Sequence, residues 1–414
     1  MRFSFIHAAD LHLDSPLTGL GQAALAEALK DATLAAFDAV VARALASDAA
    51  FVVLAGDLYD GPEHGLRAQL RFQSGLERLS ERGVPVFIAH GNHDPQGGRW
   101  DLIKRWPPGV HVFPAGLPAT HPVTRDGRLL ARVHGVSYAE RHTQDNLARR
   151  FARAAPEEPE GRGEGAVDVA VLHCNVGGDP DHGAYAPCTL DDLCAAGMDY
   201  WALGHVHRHR ILARGPTWVV YPGCTQGRGF RPGEIGPKGA VEVLVDGGVI
   251  QDVIPFETDS LRFLEVAVDI APVADLGELQ RALGQAARQL SSAHPSVTLA
   301  LRGRLTGRGP LHARLRPPAA RDELIAELSR EADGWLWTSL EDLTGPALDL
   351  QRLRGRDDLL AAILETADRW TADGLPRSLR EELLRPGLDL PEAGLSDLLA
   401  SATLDALSDF DPGA

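Results

Sequence analysis

Short apolar runs alternate with segments of helical periodicity along the first half of the chain. Apolar residues recur at helical spacing across Ala23–Leu45 and Ala68–Leu79, which predicts a helix in each. Runs rich in β-branched and aromatic residues predict strands at Phe3–His7, Phe51–Ala55, Val84–Ala89, Val167–Leu172, Tyr200–Leu203 and Trp218–Tyr221. Strands that alternate with helices indicate an α/β fold. The stretch Ala155–Gly165 is rich in proline, glycine and glutamate, and we expect an exposed loop there.

The pattern changes after about Glu257. Strand and helix candidates alternate over a shorter stretch, at Phe263–Val268, Leu276–Leu290, Val297–Arg302, Glu323–Arg330 and Trp335–Ser339. This order predicts a small α+β module. From about Leu348 onward the apolar positions follow helical spacing only. We therefore expect three parts, with boundaries at residues 1–258, 259–345 and 346–414.

Composition narrows the class of protein. Of the 414 residues, 44% are hydrophobic and 24% are charged, as is usual for a soluble globular protein. The opening residues turn polar too soon for a signal peptide, and no apolar run approaches the roughly 20 residues that span a bilayer. The four cysteines show no CxxC spacing. We expect a cytoplasmic protein without a membrane partner.

The net charge of −16 does not suit a protein that binds nucleic acid on its own, because neutralisation of phosphates dominates such binding. It does not exclude nucleic acid, since bound metal ions or a partner subunit could supply positive charge.

Five short polar motifs each follow an apolar strand candidate. They are Asp10-Leu11-His12, Gly56-Asp57-Leu58-Tyr59-Asp60, Gly91-Asn92-His93-Asp94, His173, and Gly204-His205-Val206-His207. In open α/β sheets, sites gather beyond the carboxyl ends of the strands. One such motif alone is more often a turn or a structural residue. Five in this order predict that the loops converge on one metal site.

The residue types in these motifs indicate the chemistry of the site. Carboxylate, imidazole and amide ligands suit Mn, Fe or Zn better than a thiolate metal or Ca. Asp10 and Asp57 would leave two divalent cations with net positive charge, which attracts a phosphoester. Two metals roughly 3.5–4 Å apart can lower the pKa of a shared water and stabilise an in-line displacement. The sequence therefore predicts hydrolysis at phosphorus.

The ordered set resembles the calcineurin-like metallophosphoesterases. Phe5–Pro16, Gly197–His207 and Tyr221–Gln226 are similar to the SbcD/YhaO branch of DNA double-strand-break repair nucleases. The resemblance covers roughly residues 1–235. It implies a four-layer α/β sandwich of two mixed β-sheets flanked by helices in 1–258. It also implies an α+β capping domain in 259–345 and a C-terminal helical segment in 346–414.

The resemblance also implies a role for each site residue. Asp57 would bridge two metals, the first held by Asp10, His12 and His207 and the second by Asn92, His173 and His205. His93 would protonate the leaving oxygen, and Asp60 would orient His93. The better-known archaeal and eukaryotic repair nucleases have a histidine at the position of Asp60, which is implicated in their exonuclease action. The resemblance therefore does not imply the same exonuclease behaviour for this chain. Asp60 could also be a plain turn residue without a catalytic role.

The function implied is that of a Mn-dependent DNA nuclease in DNA repair, with Fe or Zn as alternative metals. The C-terminal helices would dock on an SbcC/YhaN-like coiled-coil ATPase, and a homodimer is also implied. Arg228 and Arg231 are candidate phosphate contacts, although salt-bridged or solvated arginines fit the pattern equally.

Two other functions stay open. The first is a small-molecule phosphodiesterase or phosphatase on the same fold, towards which the acidic charge and Asp60 point. The second is a non-catalytic scaffold subunit of an ATPase complex. The complete ligand set and His93 argue against a scaffold, which needs neither. The sequence leaves endonuclease or exonuclease action undecided.

Overall fold

The structure is a computed structural model that describes residues 1–15, 23–61, 65–96, 105–153, 165–178, 183–330, 334–383 and 395–410. The chain divides into two compact units. The first comprises Met1–Leu264, Ala293–Ala300 and Gly334–Leu336, and the second comprises Glu265–Ser292, Leu301–Asp333 and Trp337–Ala414. The predicted loop at 155–165 lies outside the described residues except for Gly165.

The strands, in chain order, are β1 (Arg2–Ala8), β2 (Val52–Ala55), β3 (Val86–Ala89), β4 (Val110–Val112), β5 (Ala119–Arg125), β6 (Arg128–Gly135), β7 (Val167–His173), β8 (Tyr200–Gly204), β9 (Arg210–Ala213), β10 (Trp218–Tyr221), β11 (Gly239–Asp246), β12 (Val249–Glu257), β13 (Leu261–Asp269), β14 (Thr298–Thr306), β15 (Arg308–Gly309), β16 (Trp335–Asp342) and β17 (Gly345–Pro346).

The helices, in chain order, are α1 (Ala23–Ala46), α2 (Leu66–Glu81), α3 (Leu190–Ala195), α4 (Leu276–Ala293), α5 (His312–Leu315), α6 (Pro318–Arg330), α7 (Leu350–Arg354), α8 (Leu359–Asp373), α9 (Arg377–Leu383) and α10 (Leu395–Phe410). A short 3-10 helix covers Leu147–Arg150. Among the described residues, no helix combines the length and the apolar character needed to cross a membrane.

Two mixed sheets form the main body of the first unit. One has the strand order β12-β11-β1-β2-β3-β4, and the other has the order β5-β6-β7-β8-β10-β9. In the first sheet, β1 to β4 run parallel, β11 pairs antiparallel with β1, and β12 pairs antiparallel with β11. In the second sheet, β6, β7, β8 and β10 run parallel, with an antiparallel strand at each edge. The parallel strands of each sheet therefore end at a common edge.

Apolar side chains fill the space between the two sheets and cover both outer faces. Because side chains alternate along a strand, Phe51 and Val53 face the core between the sheets, whereas Val52 and Leu54 pack against α1 and α2. Trp201 on β8 packs on the other side, with residues of α3 and of the 3-10 helix. The order of layers is helices, sheet, sheet, helices. This confirms the predicted fold of two mixed sheets flanked by helices.

Further secondary structure follows the two large sheets along the chain. A three-stranded sheet has the order β13-β14-β16, and β15 pairs with β17. The apolar face of α4 carries buried Leu279, Leu283 and Ala287. Helices α7, α8 and α10 share a cluster of buried leucines, namely Leu353, Leu360, Leu364 and Leu407. The additional small sheets and C-terminal helices agree with the expected element types.

Candidate metal centre

The five polar motifs lie at the carboxyl ends of neighbouring strands. Asp10, Asp57 and Asn92 follow β1, β2 and β3 of the first sheet, and His173 ends β7 while His205 follows β8 of the second. Each strand is held at the centre of its sheet by buried apolar residues, so the polar residue after it begins the loop at the shared edge. The two sheets thus each contribute side chains to one group.

The backbone turns sharply at these positions. Asp10, His12, Asp57 and His205 have φ values of 52°, 44°, 50° and 101°. Non-glycine residues adopt this left-handed region rarely, and such strain gathers at functional sites. The backbone N–H of His205 donates to the Asp10 carboxylate at 3.0 Å, and that of His93 donates to Asp57 Oδ1 at 2.9 Å. These bonds fix the two carboxylates from the backbone of neighbouring loops.

The close approach of the loops requires glycine at two positions. A Cβ atom on Gly91 would lie 2.3 Å from Asp57 Oδ1, and one on Gly204 would lie 1.8 Å from the carbonyl oxygen of Ala55. Both distances are far below van der Waals contact. Gly91 therefore lets two loops of the first sheet meet, and Gly204 lets the second sheet approach the first.

His173 lies among oxygen atoms of three neighbouring residues. Its Nδ1 donates to the carbonyl of Ala55 at 3.0 Å, because a carbonyl can only accept. Its Nε2 lies 3.0 Å from Asn92 Oδ1 and 3.3 Å from Asp57 Oδ2. Two buried oxygens that face one ring nitrogen are stabilised by positive charge at this place, which a protonated ring or a bound metal ion can supply. This donor set therefore fits a divalent metal ion.

The charges around His173 also favour a cation. Burial acts to lower the pKa of His173, but the carboxylates of Asp57 and Asp10 outweigh it and raise the pKa to about 9. Burial likewise acts to raise the pKa of Asp57, yet His173 and His12 hold it well below its usual range. Burial raises the pKa of Asp10. Positive charge at this place stabilises both buried carboxylates.

A second group of donors lies beside the first. The ligand atoms of Asp10, His12 and His207 lie within 4.8 Å of one another, as do those of Asp10, Asp57 and His173. The Nε2 atoms of His12 and His207 are 3.3 Å apart. Burial lowers the pKa of His12 to about 3, so its ring is neutral and able to bind a metal.

His205 completes the set from the second sheet. Its Nε2 donates to the carbonyl of Gly183 at 2.9 Å, which leaves Nδ1 as the acceptor atom. Its ring lies 5.2 Å from that of His173, centroid to centroid. All seven residues that the sequence nominates as ligands are thus in one place, and their roles as ligands stay predictions.

His93 lies at the open side of this group and contacts Asp60. Its Nδ1 is 2.5 Å from Asp60 Oδ1, and its side chain is 32% exposed. Burial acts to lower the pKa of His93, but the Asp60 and Asp57 carboxylates raise it above its ordinary value. Burial acts to raise the pKa of Asp60, yet His12, His93 and Arg228 hold it well below its usual range. Asp60 is therefore an ionised partner of His93.

Arg228 lies within the centre, and its side chain is only 18% exposed. Its guanidinium bonds Asp60 Oδ2 at 3.0 Å and the Ser15 hydroxyl oxygen at 3.1 Å, and it lies 3.6 Å from Glu234. The Ser15 hydroxyl donates to Asp60 at 2.6 Å. Arg231 is exposed. Contact of either arginine with phosphate stays a prediction.

The sequence analysis did not identify Glu234 as a site residue, and it did not identify the structural role of Asp94. Glu234 Oε1 lies 2.7 Å from His207 Nδ1, although no motif marks its position in the chain. Asp94 accepts backbone N–H groups of Leu58 and Gly91, both at 2.9 Å, and so ties two metal-site loops together. Because Asp94 ends the Gly-Asn-His-Asp motif, its carboxylate could have suggested that it holds these loops together.

Comparison with known proteins gives two family matches. The profile described as calcineurin-like phosphoesterase matches residues 3–209, and the one described as metallophosphoesterase YhaO, middle domain, matches residues 263–345.

Individual relatives extend this result. The chain is 33% identical over 372 residues to "Uncharacterized metallophosphoesterase YhaO" of Bacillus subtilis, covering 88% of this chain and 87% of that protein. It is 30% identical over 224 residues to "DNA double-strand break repair protein Mre11" of Aeropyrum pernix, covering 53% and 52% of the two chains. It is 26% identical over 249 residues to the SbcD component of the nuclease SbcCD of Bacillus subtilis, covering 53% and 60%. The matches to the two proteins named for repair or nuclease action thus span little more than half of either chain.

Proposed function

The chain belongs to the calcineurin-like metallophosphoesterases, and we propose that it is a metal-dependent DNA nuclease that acts in DNA repair. Similarity to Mre11 and to SbcD supports a DNA substrate. The observation that carries the proposal is the group formed by His93, Asp60 and Asp57 beside buried carboxylate, amide and imidazole groups that suit a metal ion. Such a group suits hydrolysis of a phosphodiester.

The proposed ligands divide between two divalent cations, which the family uses. Asp57 would bridge them, with Asp10, His12 and His207 on the first and Asn92, His173 and His205 on the second. When bound, the two cations would supply positive charge to the phosphate and lower the pKa of water. We propose Mn, with Fe or Zn as alternatives, because carboxylate, imidazole and amide donors occur together.

His93 and Asp60 would handle the proton of the leaving group. Asp60 Oδ1 lies 2.5 Å from Nδ1 of His93, so the other ring nitrogen would hold the proton that is passed on. The Asp60 and Asp57 carboxylates raise the pKa of His93, which favours the protonated ring that an acid needs. Because its side chain is partly exposed, His93 can reach a phosphate that approaches from solvent. We also propose Arg228 and Arg231 as residues that attract the phosphate backbone.

Substitution of His93 tests this function. We expect the full chain with Mn²⁺ to degrade linear or single-stranded DNA, and a His93→Ala variant to lose activity by about 10²–10⁴-fold. His121→Ala is the matched control, because His121 is also half-buried but lies on β5, away from the centre. Full DNA cleavage by the His93→Ala variant would contradict the proposed acid, and loss in both variants would indicate a general defect.

A small-molecule phosphodiesterase is the second candidate. The net charge of −16 and the carboxylate at position 60 favour it. In that case bis-p-nitrophenyl phosphate or cyclic nucleotides would be hydrolysed while DNA of every form stays intact. Metal binding without hydrolysis of any phosphoester, even with an ATPase present, would instead indicate a scaffold.

We propose that residues 1–258 form the nuclease domain, 259–345 a capping domain and 346–414 a docking element for an SbcC/YhaN-like coiled-coil ATPase. An apolar groove of about 350 Å³ on the C-terminal helices supports docking. Its lining residues include Leu359, Ile363, Trp370, Leu399 and Ala402. Leu359 is 57% exposed, and a coiled-coil helix would cover such a groove. A homodimer is proposed on resemblance alone.

A further inference from the structure

A buried carboxylate lies behind one of the proposed metal ligands. Glu234 belongs to the loop between β10 and β11, and its side chain is 8% exposed. Its Oε1 lies 2.7 Å from Nδ1 of His207. A carboxylate can only accept when ionised, so the proton of this bond is on Nδ1 of His207. The other ring nitrogen, Nε2, then carries the lone pair.

Arg228 holds the carboxylate of Glu234 through both its backbone and its side chain. The backbone N–H of Arg228 donates to Oε2 at 2.8 Å, and the guanidinium of Arg228 lies 3.6 Å from Oε1. The loop closes tightly, since a Cβ atom on Gly227 would lie 2.4 Å from the carbonyl oxygen of Glu234. The backbone N–H of Glu234 donates to the Arg231 carbonyl at 2.8 Å. The carboxylate is therefore placed before any metal binds.

The lone pair that results points to the centre. Nε2 of His207 lies 3.3 Å from Nε2 of His12, and both share a cluster of ligand atoms with Asp10. Without a partner at Nδ1, a neutral imidazole divides between two tautomers, and one of them places a proton where the metal would bind.

We propose that Glu234 is a positioning residue of the metal centre, which holds His207 as the Nδ1–H tautomer so that Nε2 can bind a cation. The inference rests on the metal centre of the proposed function, but not on the identity of its substrate. Glu234 itself touches neither phosphate nor metal. Carboxylates behind metal-binding histidines typically change metal affinity about 10- to 100-fold.

Calorimetric titration of the metal-free full chain with Mn²⁺ tests this assignment. We expect two ions per chain in the wild type, and an affinity for one of them about 10- to 100-fold weaker in Glu234→Ala. Glu234→Gln should lose less, because its amide oxygen can still accept from Nδ1. Glu242→Ala is the matched control, since Glu242 is also 8% exposed and pairs with Arg43 instead. Its Mn²⁺ affinity should equal that of the wild type.

Several results would overturn the role of Glu234. They are unchanged Mn²⁺ affinity in Glu234→Ala, an equal loss in Glu242→Ala, and no Mn²⁺ binding by the wild type. Binding of a third ion that is lost in Glu234→Ala would also overturn it, because His207, Cys224 and Glu234 would then be ligands themselves.

A measurement on the wild type tests the proposal even if the Glu234 variants do not fold. Nuclear magnetic resonance of ¹⁵N-histidine-labelled, metal-free protein should show His207 as the Nδ1–H tautomer, with its signal assigned through a His207→Asn variant. The Nε2–H tautomer would overturn the proposal. If Mn²⁺ binding depends on Glu234 while no DNA is cleaved, the nuclease function fails and the role of Glu234 stands.

Discussion

At the scale of single residues, the site depends on contacts that no pattern of neighbours in the chain can reveal. The sequence nominates seven ligands because each stands in a recognisable motif after a strand. Glu234 stands in a loop with no motif, 27 positions beyond His207, and only the fold brings the two together. Ligand types can therefore be predicted from sequence, whereas the groups that orient them cannot.

Arg228 is a second residue whose contacts the sequence does not reveal. Its position shortly after the metal-ligand loops predicts a phosphate contact, but the sequence does not reveal which acids lie near it. The structure surrounds its guanidinium with Asp60 and Glu234, at 3.0 Å and 3.6 Å. A sequence motif gives the charge of a residue, and only the fold gives its partners.

Gly91 offers a test of the packing at the centre. A methyl group there would meet the Asp57 carboxylate and its backbone nitrogen, at 2.3 Å and 2.9 Å. We expect Gly91→Ala to displace Asp57, to weaken Mn²⁺ binding, and to cost about 1–3 kcal/mol of folding free energy. Calorimetry and urea unfolding measure the two effects.

Gly229→Ala is the control for this prediction, because a Cβ atom on Gly229 has nothing within 4 Å. Unchanged metal affinity in Gly91→Ala would show that Asp57 can move without loss. Equal loss in both variants would show that the packing around Gly91 is not the cause.

At the scale of elements, strands such as β2 and β8 could be predicted, and the hairpins on one side of each large sheet could not. The sequence-based strand at Trp218–Tyr221 agrees with the structure to the residue, because its residues are apolar and buried throughout. The hairpins β5–β6 and β11–β12 were missed. Strands β5 and β12 mix buried with exposed residues, so their apolar signal is weak, whereas β6 and β11 are largely buried and still went unpredicted. The dipeptides Asp126-Gly127 and Gly247-Gly248, both with positive φ, mark the turns and could have found them.

The second sheet contains an ion-pair group that makes its stability depend on pH. Asp168 on β7 lies 3.1 Å from His134 Nε2 on β6 and 2.9 Å from Arg153 Nε. Burial acts to raise the pKa of Asp168, but His134 and Arg153 lower it below 3.8. A lowered pKa in the folded state adds stability above the unfolded value, and that stability is lost as pH falls through the folded pKa.

Asp168→Asn should therefore destabilise the protein at neutral pH and matter less in acid. We expect a loss of about 1.5–3 kcal/mol at pH 7, because charged hydrogen bonds are removed. The difference from the wild type should shrink as pH falls below 3.8. Urea unfolding across this range measures it, and a difference that stays constant with pH would contradict the ion-pair explanation.

At the scale of the whole molecule, the proposed ligands come from two sheets, so bound metal should stabilise both sheets together. A ligand that binds only the folded state adds about 2.7 kcal/mol at a concentration 100 times its Kd. We expect Mn²⁺ to raise the Tm of the metal-free chain and a chelator to reverse the rise. Calorimetric scans with Asp57→Asn, which removes the charge of the proposed bridging ligand, should show a much smaller rise. An equal rise in that variant would place the stabilising ions elsewhere.

The fold class could be predicted because strands and helices alternate and the five motifs follow strands in one order. The extent of each compact unit could not, since it depends on contacts between distant segments. Ala293–Ala300 and Gly334–Leu336 group with the first unit although the chain between them groups with the second. The composition of the chain does not show which segments group with which unit.

The position of β1 in its sheet has a consequence for synthesis of the protein. This first strand lies between β2 and β11, and β11 begins only at Gly239. While the ribosome makes the intervening chain, one edge of β1 has no partner, and open strand edges invite pairing with other chains. The nascent chain thus carries an exposed edge beside Asp10 for most of its synthesis. A chaperone that shields this edge until β11 emerges would raise the yield of folded protein.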